Sequence, residues 1–449
     1  MAEDLLKDVA SRATRYLDDV TQRRVFPSPD AVRDLQRFSV QLQDEPLDAA
    51  QVLAELDTLG SPATVAGTGG RYFGFVTGGA LPAALAANML AAAWDQNGGL
   101  EIQSPVAAHL ERVCRDWLVS LLGLHAQTEV GFVTGATMAN FTGLASARHA
   151  VLHAHGWNVE AQGLFGAAPI TVIVGDEVHV SVLKALSMLG LGRERVVRVP
   201  VDGQGRMIAA RLPAVAGPTI VCLQAGNVNT GAFDPIGEIA ARLRGSGAWI
   251  HVDGAFGLWA AASPAQRSLA SGLDLADSLA TDAHKWLNVP YDSGLVFVRD
   301  RSALNGAMSA SAAYLIEGQT RDPHLFVPEM SRRARAVEVW AALRSLGRRG
   351  LGEMIERNCA HAARFARELR NAGHQVLNDV VLNQVLVAFG SPDVTRRVIA
   401  AIQQDGTCWC GGTAWQGNIA MRISVSSWAT TDADVEQSIA AILRCAERS

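Results

Sequence analysis

Short apolar segments alternate with helical segments between residues 131 and 300, and this alternation constrains the fold more than any other feature. It predicts a mostly parallel β-sheet covered by helices, because parallel neighbours need long crossover connections that are usually helical. The segments with a strand pattern are GFVT (131–134), ITVIV (170–174), RVVRV (195–199), TIVCL (219–223), AWIHVD (248–253), SLATD (278–282) and GLVFVRD (294–300).

The sequence on either side of this region has other patterns. Residues 1–77 begin with a charged helical pattern and end in the Gly- and Thr-rich segment 67–70, which is typical of a linker. After residue 345 a helical stretch, two strand-like segments and a last amphipathic helix from Thr431 indicate a small α+β domain. The predicted organisation is an N-terminal arm (1–77), a large α/β domain (78–345) and a small C-terminal domain (346–449).

Charge and composition exclude several functional classes. The chain has 449 residues and a formal net charge of −5, and its Lys and Arg residues form no basic stripe of the kind that binds nucleic acid. The most apolar stretch, 79–94, falls short of the roughly 20 residues that a membrane span requires. We therefore expect no nucleic-acid partner and no membrane association.

The cysteines and the first residues bear on the compartment. Six cysteines in a chain of this length do not indicate a disulfide framework, and the beginning, MAEDLLKDVASR, lacks the apolar core of a signal peptide. Cys408 and Cys410 form a C-x-C pair without a second Cys or His pair nearby, a spacing that is more often accidental than metal-binding. We predict a cytoplasmic protein without a bound metal.

The segment 278–300 places a lysine at one edge of the predicted sheet. The strand 278–282 is followed by Ala-His-Lys-Trp, and a turn with Pro290 leads into the next apolar strand. Open α/β sheets bind ligands at the carboxyl ends of their strands. A lysine shielded there by Trp286 and apolar strands can attack a carbonyl group as a neutral amine. The motif therefore predicts a Schiff-base lysine at Lys285, although a lone lysine after a strand is usually a surface residue.

Other strand ends carry polar groups that suit the same ligand. Asp253 ends a strand, where its carboxylate can pair with a pyridinium nitrogen. The Thr-Gly-Ala-Thr turn (134–137) exposes amide groups at a helix N-terminus, where a phosphate is favoured. His179 follows the strand 170–174 and offers an imidazole that can lie flat on a ring. Each feature is common alone, so the prediction depends on their joint order along one sheet.

With these motifs the sequence resembles the group II amino-acid decarboxylases that use pyridoxal 5'-phosphate, the family of aromatic-L-amino-acid, histidine and glutamate decarboxylases. Asp-Ala-His-Lys-Trp (282–286) resembles the His-Lys motif of that family. The resemblance implies an α/β protein of fold type I, the aspartate-aminotransferase-like fold, and a homodimer. It extends over most of the chain, through RYFGFV (71–76), SPVAAHLE (104–111), SRRARAVEVW (331–340) and MRISVSSW (421–428).

The resemblance also implies a role for each site residue. Lys285 forms the Schiff base with pyridoxal phosphate, and Asp253 bonds the pyridine nitrogen. His179 stacks on one face of the ring, near the substrate carboxylate, and Ala255 lies against the other face. The residues implied to hold the phosphate are Ala136, Thr137 and His284.

Two segments depart from the family pattern. Where the family often has Gly-Thr-Thr, this chain has Gln-Ala-Gly-Asn-Val-Asn (224–229), in which Asn227 or Asn229 either donates to the cofactor or substrate or serves as a turn residue. In the loop before the Arg-Arg segment, aromatic decarboxylases carry a tyrosine, which protonates the substrate carbon. The stretch 318–330 has none, so the candidate proton donor is His324, unless it is merely an exposed loop residue.

The predicted function is decarboxylation of an L-amino acid with an aromatic or medium-sized apolar side chain, which gives CO2 and an amine. An aminotransferase, an aldehyde synthase and a carbon–carbon lyase remain alternatives, because the sequence does not show which substrate bond stands perpendicular to the ring. Arg422 is either a carboxylate clamp, as in an aminotransferase, or a structural strand residue. The aromatic residues that either line a substrate pocket or belong to the core are Tyr72, Phe73, Phe75 and Trp94.

A binding module that holds the cofactor without turnover is an alternative from a different class. The intact set of Lys285, Asp253 and His179 favours an enzyme over such a module.

Overall fold

The computed structural model describes residues 2–309 and 321–449. The chain divides into two compact units: a larger unit, Ala80–Ala362 with Asn378–Gln384, and a smaller unit, Met1–Gly79 with Ala363–Leu377 and Val385–Ser449. Most residues of the predicted N-terminal arm and of the predicted C-terminal domain belong to the smaller unit. The three-domain division stays a prediction.

A seven-stranded sheet forms the framework of the larger unit, in the order β1-β7-β6-β5-β4-β2-β3. Each segment predicted as a strand between residues 131 and 300 overlaps one of these strands. Their bounds are β1 Glu129–Val133, β2 Thr171–Gly175, β3 Val197–Val199, β4 Thr219–Gln224, β5 Trp249–Asp253, β6 Ser278–Asp282 and β7 Gly294–Val298.

Strand directions in this sheet follow from the connections. The neighbours from β3 through β2, β4 and β5 to β6 are parallel, whereas β7 runs antiparallel to both β1 and β6. The connection 283–293 between β6 and β7 contains no helix, and a parallel neighbour would require a longer crossover. The predicted mostly parallel α/β sheet is confirmed, with β7 as the antiparallel exception.

Helices form the regular structure before β1 and connect many of the later strands. The α-helices are α1 Ala2–Asp19, α2 Pro29–Asp34, α3 Ala49–Ala63, α4 Pro82–Trp94, α5 Pro105–Leu122, α6 Ala136–His153, α7 Val159–Gln162, α8 Val180–Met188, α9 Ile236–Arg242, α10 Arg301–Met308, α11 Ala336–Asn371, α12 Pro392–Asp405 and α13 Asp432–Glu447. Helix α11 is interrupted at Gly347, whose φ of 61° and ψ of −176° are not helical. The 3-10 helices are Leu35–Phe38, Ala209–Arg211, Gly257–Ala262, Arg267–Ala270, Leu273–Leu275 and Pro323–Phe326.

The smaller unit contains a four-stranded sheet in the order β10-β11-β9-β8. Its strands are β8 Gln375–Val376, β9 Gln384–Ala388, β10 Gly411–Trp415 and β11 Asn418–Ser424. Helix α13 begins where the sequence predicts, because Thr431 and Asp434 form a reciprocal capping box at its N-terminus. No helix in the described ranges is both long enough and apolar enough to cross a bilayer.

The core of the larger unit includes apolar side chains from the seven-stranded sheet and from α6, α8 and α10. Val133, Val174, Leu144, Leu186 and Leu304 are buried in it, and burying a side chain of this kind contributes about 1.5–3 kcal/mol. Helix α6 contacts β4, β5, β6 and β7. This packing fixes the first turn of α6 beside the end of β6, where the predicted lysine motif begins.

A buried cluster of ion pairs holds the segment that follows residue 320. Arg321 lies 3.0 Å from Glu111 of α5 and 3.1 Å from Glu129 of β1, and Arg332 also pairs with Glu111. The Arg321 guanidinium lies 3.8 Å from the centroid of the Phe326 ring. Because these charges are shielded from water, each depends on its partners for stabilisation.

Candidate active site

A small cavity opens where strands of the larger sheet end. Four residues predicted from the sequence line this cavity together: His179, Asp253, Ala255 and Lys285. The other lining residues are Gln224, Gly226, Val228 and Phe256. Because β2, β4, β5 and β6 are parallel, their carboxyl ends meet at one edge of the sheet, and residues distant in sequence converge there.

Asp282 connects the lysine with the helix N-terminus, a role that the sequence pattern does not reveal. Its Oδ2 lies 2.9 Å from Nζ of Lys285. Its Oδ1 accepts a hydrogen bond from the Ala136 amide at 2.5 Å and lies 3.3 Å from Nε2 of His284. The structure thus gathers the lysine and two of the predicted phosphate ligands around a single buried carboxylate. Thr137 follows in the first turn of α6 and is partly exposed.

The tautomer of His284 follows from its hydrogen bonds. Its Nδ1 accepts from the Ser293 amide at 3.1 Å, so the neutral ring carries its proton on Nε2, which faces Asp282. The ring stacks on Tyr291 with a centroid distance of 4.2 Å. Burial lowers the pKa of His284, the Asp282 carboxylate opposes that shift, and the Lys285 charge lowers the pKa further. The imidazole is therefore held neutral and oriented.

The His179 ring is oriented by the helix that it caps. His179 is the N-cap of α8, and its Nδ1 accepts from the Ser181 amide at 3.2 Å and lies 2.7 Å from the Ser181 hydroxyl. A ring fixed in this way loses little further freedom when a ligand stacks on it.

The Asp253 carboxylate is buried and accepts hydrogen bonds at both oxygens. Its Oδ1 accepts from the Ala255 amide at 3.1 Å, and its Oδ2 accepts from Asn140 at 3.2 Å and from Ser181 at 3.3 Å. The sequence pattern does not reveal the contacts of Asn140 in α6 and Ser181 in α8 with Asp253, because they form only in the tertiary structure.

The residues around the cavity fit pyridoxal phosphate. Lys285 supplies an amine that can react with the aldehyde of the cofactor, and Asp253 supplies an anion for the ring nitrogen. The first turn of α6 offers a site for the phosphate. Two glycines pack closely nearby: a Cβ on Gly135 would lie 3.0 Å from the His284 ring. Gly226 has a φ of 94°, and a Cβ there would lie 3.0 Å from the Cα of Gly257.

His324 is not among the residues that line this cavity. Its amide donates to the Gly99 carbonyl at 3.0 Å, its Nδ1 lies 3.3 Å from the same oxygen, and only 2% of the residue is exposed. The alternative that His324 is an exposed loop residue is therefore wrong. Its role as a proton donor stays a prediction, and residues 318–320 of the same predicted stretch lie outside the described residues.

The asparagines of the segment 224–229 have structural contacts in the turn after β4. The Asn227 Oδ1 accepts from the amides of Asn229 and Thr230, at 2.9 and 3.2 Å. This geometry agrees with the turn alternative for Asn227. The backbone of the same segment contributes Gly226 and Val228 to the cavity.

The other residues considered from the sequence lie in various surroundings. Phe73 is buried, whereas Phe75 is exposed and stacks on Trp409, as does Tyr72. Trp94, at the end of α4, is also exposed. Arg422, the alternative carboxylate clamp, lies in β11 opposite Gly411 in the sheet. Burial lowers the pKa of its guanidinium.

Comparisons with known proteins agree with this arrangement. The chain is 27% identical over 454 residues to a histidine decarboxylase of Drosophila melanogaster, covering 96% of this chain and 53% of that protein. It is 26% identical over 455 residues to tryptophan decarboxylase 1 of Oryza sativa subsp. japonica, covering 92% of this chain and 87% of that protein. The chain thus spans about half the length of the first of these relatives.

The fold matches solved structures over the whole chain. The crystal structure of Oryza sativa TDC with PLP and tryptamine superposes with a TM-score of 0.91 at 22% identity, covering 100% of this chain and 98% of that chain. The sequence model described as pyridoxal-dependent decarboxylase conserved domain matches residues 30–390. The chain therefore belongs to the pyridoxal-dependent decarboxylase family, whose cofactor is pyridoxal phosphate.

Proposed function

We propose that this protein is an enzyme that removes CO2 from an L-amino acid with an aromatic or medium-sized apolar side chain and releases an amine. The observation that supports the proposal is the convergence of Lys285, Asp253 and His179 on one cavity. When bound, pyridoxal phosphate supplies an aldehyde for an amine and a ring that accepts the electron pair left behind by CO2.

The residues of the cavity would bind and orient the reactants. Lys285 would attach the cofactor, and the Asp282 Oδ2, at 2.9 Å, would orient its Nζ. Asp253 would hold a proton on the ring nitrogen. His179, which is fixed by the start of α8, would cover one ring face and direct the substrate carboxylate out of the ring plane.

Protonation of the product carbon is the step that decides between an amine and an aldehyde. We propose His324 as the donor. Because its buried ring contacts Gly99 and does not line the cavity of its own chain, this role requires either movement of the ring or a site completed by a second chain.

The active protein is proposed to be a homodimer. Helix α4 and the segment after it expose several large apolar side chains, which would be buried by a second copy; these are Met89, Leu90, Trp94 and Ile102. Sedimentation at micromolar concentration should show a dimer, and a pure monomer would contradict this proposal.

A cytoplasmic location is also proposed. All six cysteines are unpaired, as is usual in a reducing compartment. Fractionation of cells that express the full-length protein should recover it with cytoplasmic enzymes, and recovery from an extracytoplasmic fraction would contradict the proposal.

Product analysis tests the proposed reaction. The cofactor-loaded protein is incubated with common amino acids one at a time, and CO2, amine, aldehyde with peroxide, and keto acid are measured. We expect CO2 and amine in equal amounts from at least one aromatic or apolar amino acid, and none from Lys285→Ala. Keto acid without CO2 would show an aminotransferase, and aldehyde with peroxide would show an aldehyde synthase.

A further inference from the structure

A buried row of hydrogen bonds lies behind Asp253, and the catalytic roles proposed above do not use it. The Trp249 Nε1 lies 2.8 Å from the Ser278 hydroxyl, which lies 2.8 Å from Nδ1 of His251. The His251 Nε2 lies 2.9 Å from Oδ1 of Asn140, whose Nδ2 lies 3.2 Å from Oδ2 of Asp253. All five residues are buried. We refer to them as the Asp253 network.

The direction of every hydrogen bond in the Asp253 network follows from its two ends. The indole of Trp249 can only donate, and the carboxylate of Asp253 can only accept. Because Asp253 accepts, the Asn140 amide turns its NH2 group toward Asp253 and its oxygen toward His251. The neutral His251 ring therefore carries its proton on Nε2 and accepts from the Ser278 hydroxyl at Nδ1, while Ser278 accepts from the Trp249 indole. The reversed amide would place an oxygen against a carboxylate oxygen.

Asn140 also connects Asp253 with the histidine that caps α8. Its Nδ2 lies 3.1 Å from the Ser181 hydroxyl, and that hydroxyl lies 2.7 Å from Nδ1 of His179. An amide NH2 has two protons, so one Asn140 side chain can donate to both Ser181 and Asp253. The orientation of this amide therefore affects the positions of two side chains that line the cavity, Asp253 and His179.

Helix α6 leaves room for the His251 ring by means of a glycine. A Cβ on Gly143 would lie 2.9 Å from Cε1 and 3.0 Å from Nδ1 of His251. Glycine in a helix interior is less favourable than alanine, so the ring occupies its position at a cost to the helix. Burial also lowers the pKa of His251 to about 4, with the Asp253 carboxylate opposing the shift.

We propose that His251 and Asn140 are positioning residues of the cofactor site, which orient the Asp253 carboxylate and the His179 ring before pyridoxal phosphate binds. The inference rests on the proposed roles of Asp253 and His179 as cofactor contacts. A merely structural network would stabilise the folded protein without affecting the affinity for the cofactor. Preorganised partners, in contrast, reduce the ordering required when the ligand binds.

The test compares cofactor affinity with protein stability in matched variants. His251→Leu removes both ring hydrogen bonds, whereas His251→Gln keeps a donor near the position of Nε2. Val151→Ala, also buried on α6, shortens an apolar side chain outside the Asp253 network. For each protein the dissociation constant of pyridoxal phosphate is measured by titrating the cofactor-free form, and its thermal unfolding temperature is measured separately.

We expect His251→Leu to weaken cofactor binding by about tenfold to a hundredfold, the range for losing hydrogen-bond support to a charged group. His251→Gln should recover most of the affinity, and Val151→Ala should lower the unfolding temperature with the affinity unchanged. Equal affinities for His251→Leu and Val151→Ala would overturn the inference. If His251→Leu does not fold, Ser278→Ala, which removes one hydroxyl group, should still weaken binding by about threefold, and an unchanged affinity would overturn the inference.

Two further measurements separate this inference from the proposed function. Nitrogen-15 NMR of the cofactor-free protein should show His251 as the neutral Nε2-protonated tautomer near pH 7, and the other tautomer would overturn the assigned network. Asp253→Asn should weaken cofactor binding. If it does not, the proposed role of Asp253 fails and the inference fails with it. If it does, while His251→Leu behaves like Val151→Ala, only the inference fails.

Discussion

The buried imidazole of His251 contributes a pH dependence to the stability of the protein. Burial lowers the pKa of His251 from 6.5 to about 4, and the Asp253 carboxylate opposes part of the shift. Between these pH values the unfolded chain binds a proton at this residue and the folded chain does not. The free energy of unfolding therefore rises with pH across this window, by about 3 kcal/mol in total.

Asp234 contributes a slope of the opposite sign. Burial raises its pKa from 3.8 to about 6, although hydrogen bonds from the amides of Met207 and Gln224 oppose the shift. Between pH 3.8 and 6 the folded chain keeps a proton that the unfolded chain has released, so the free energy of unfolding falls by about 3 kcal/mol as the pH rises. The contributions of Asp234 and His251 nearly cancel in the wild type.

Single substitutions separate the two contributions. We expect the free energy of unfolding of the wild type minus that of His251→Leu to increase by about 3 kcal/mol from pH 4 to pH 6.5, measured by urea unfolding of the cofactor-free protein. Asp234→Asn is the matched control, for which the same difference should decrease by a similar amount. A difference for His251→Leu that stays constant over this range would refute a neutral, buried His251 in the folded protein.

Three further predictions concern the lysine, the proton donor and the buried ion pairs. Borohydride reduction of the cofactor-loaded protein should label the peptide that contains Lys285, and a label on another peptide would contradict the assignment. His324→Phe should slow amine formation by about 10²–10⁴-fold with cofactor binding intact; an unchanged rate and an unchanged ratio of amine to aldehyde would remove His324 from the mechanism. Glu111→Ala should lower the free energy of unfolding by about 3–5 kcal/mol, because two buried arginines lose a partner. The exposed pair of Glu3 and Lys7 is the control, and Glu3→Ala should lower the free energy of unfolding, measured with urea, by less than about 1 kcal/mol. Similar losses of stability in both variants would show that burial does not strengthen the Glu111 ion pairs.

Several parts of the site could be predicted because they depend on local pattern and on one rule of α/β sheets. Asp253 ends an apolar strand, Lys285 and His179 follow others, and parallel strands bring their carboxyl ends to the same edge. Those three residues and Ala255 line one cavity in the structure. The antiparallel direction of β7 could not be predicted from the sequence, because an apolar strand has the same residue pattern in either direction.

The linear sequence determined which chemical groups stand at the strand ends, since strand periodicity and the polar residues after each strand are local properties. Tertiary structure alone decided which distant groups meet: Asp282 with the start of α6, and Asn140 with His251 and Asp253. The physical reason is that a hydrogen bond needs its atoms within about 3 Å. Residues more than 100 positions apart reach that distance only after α6 has packed on the sheet.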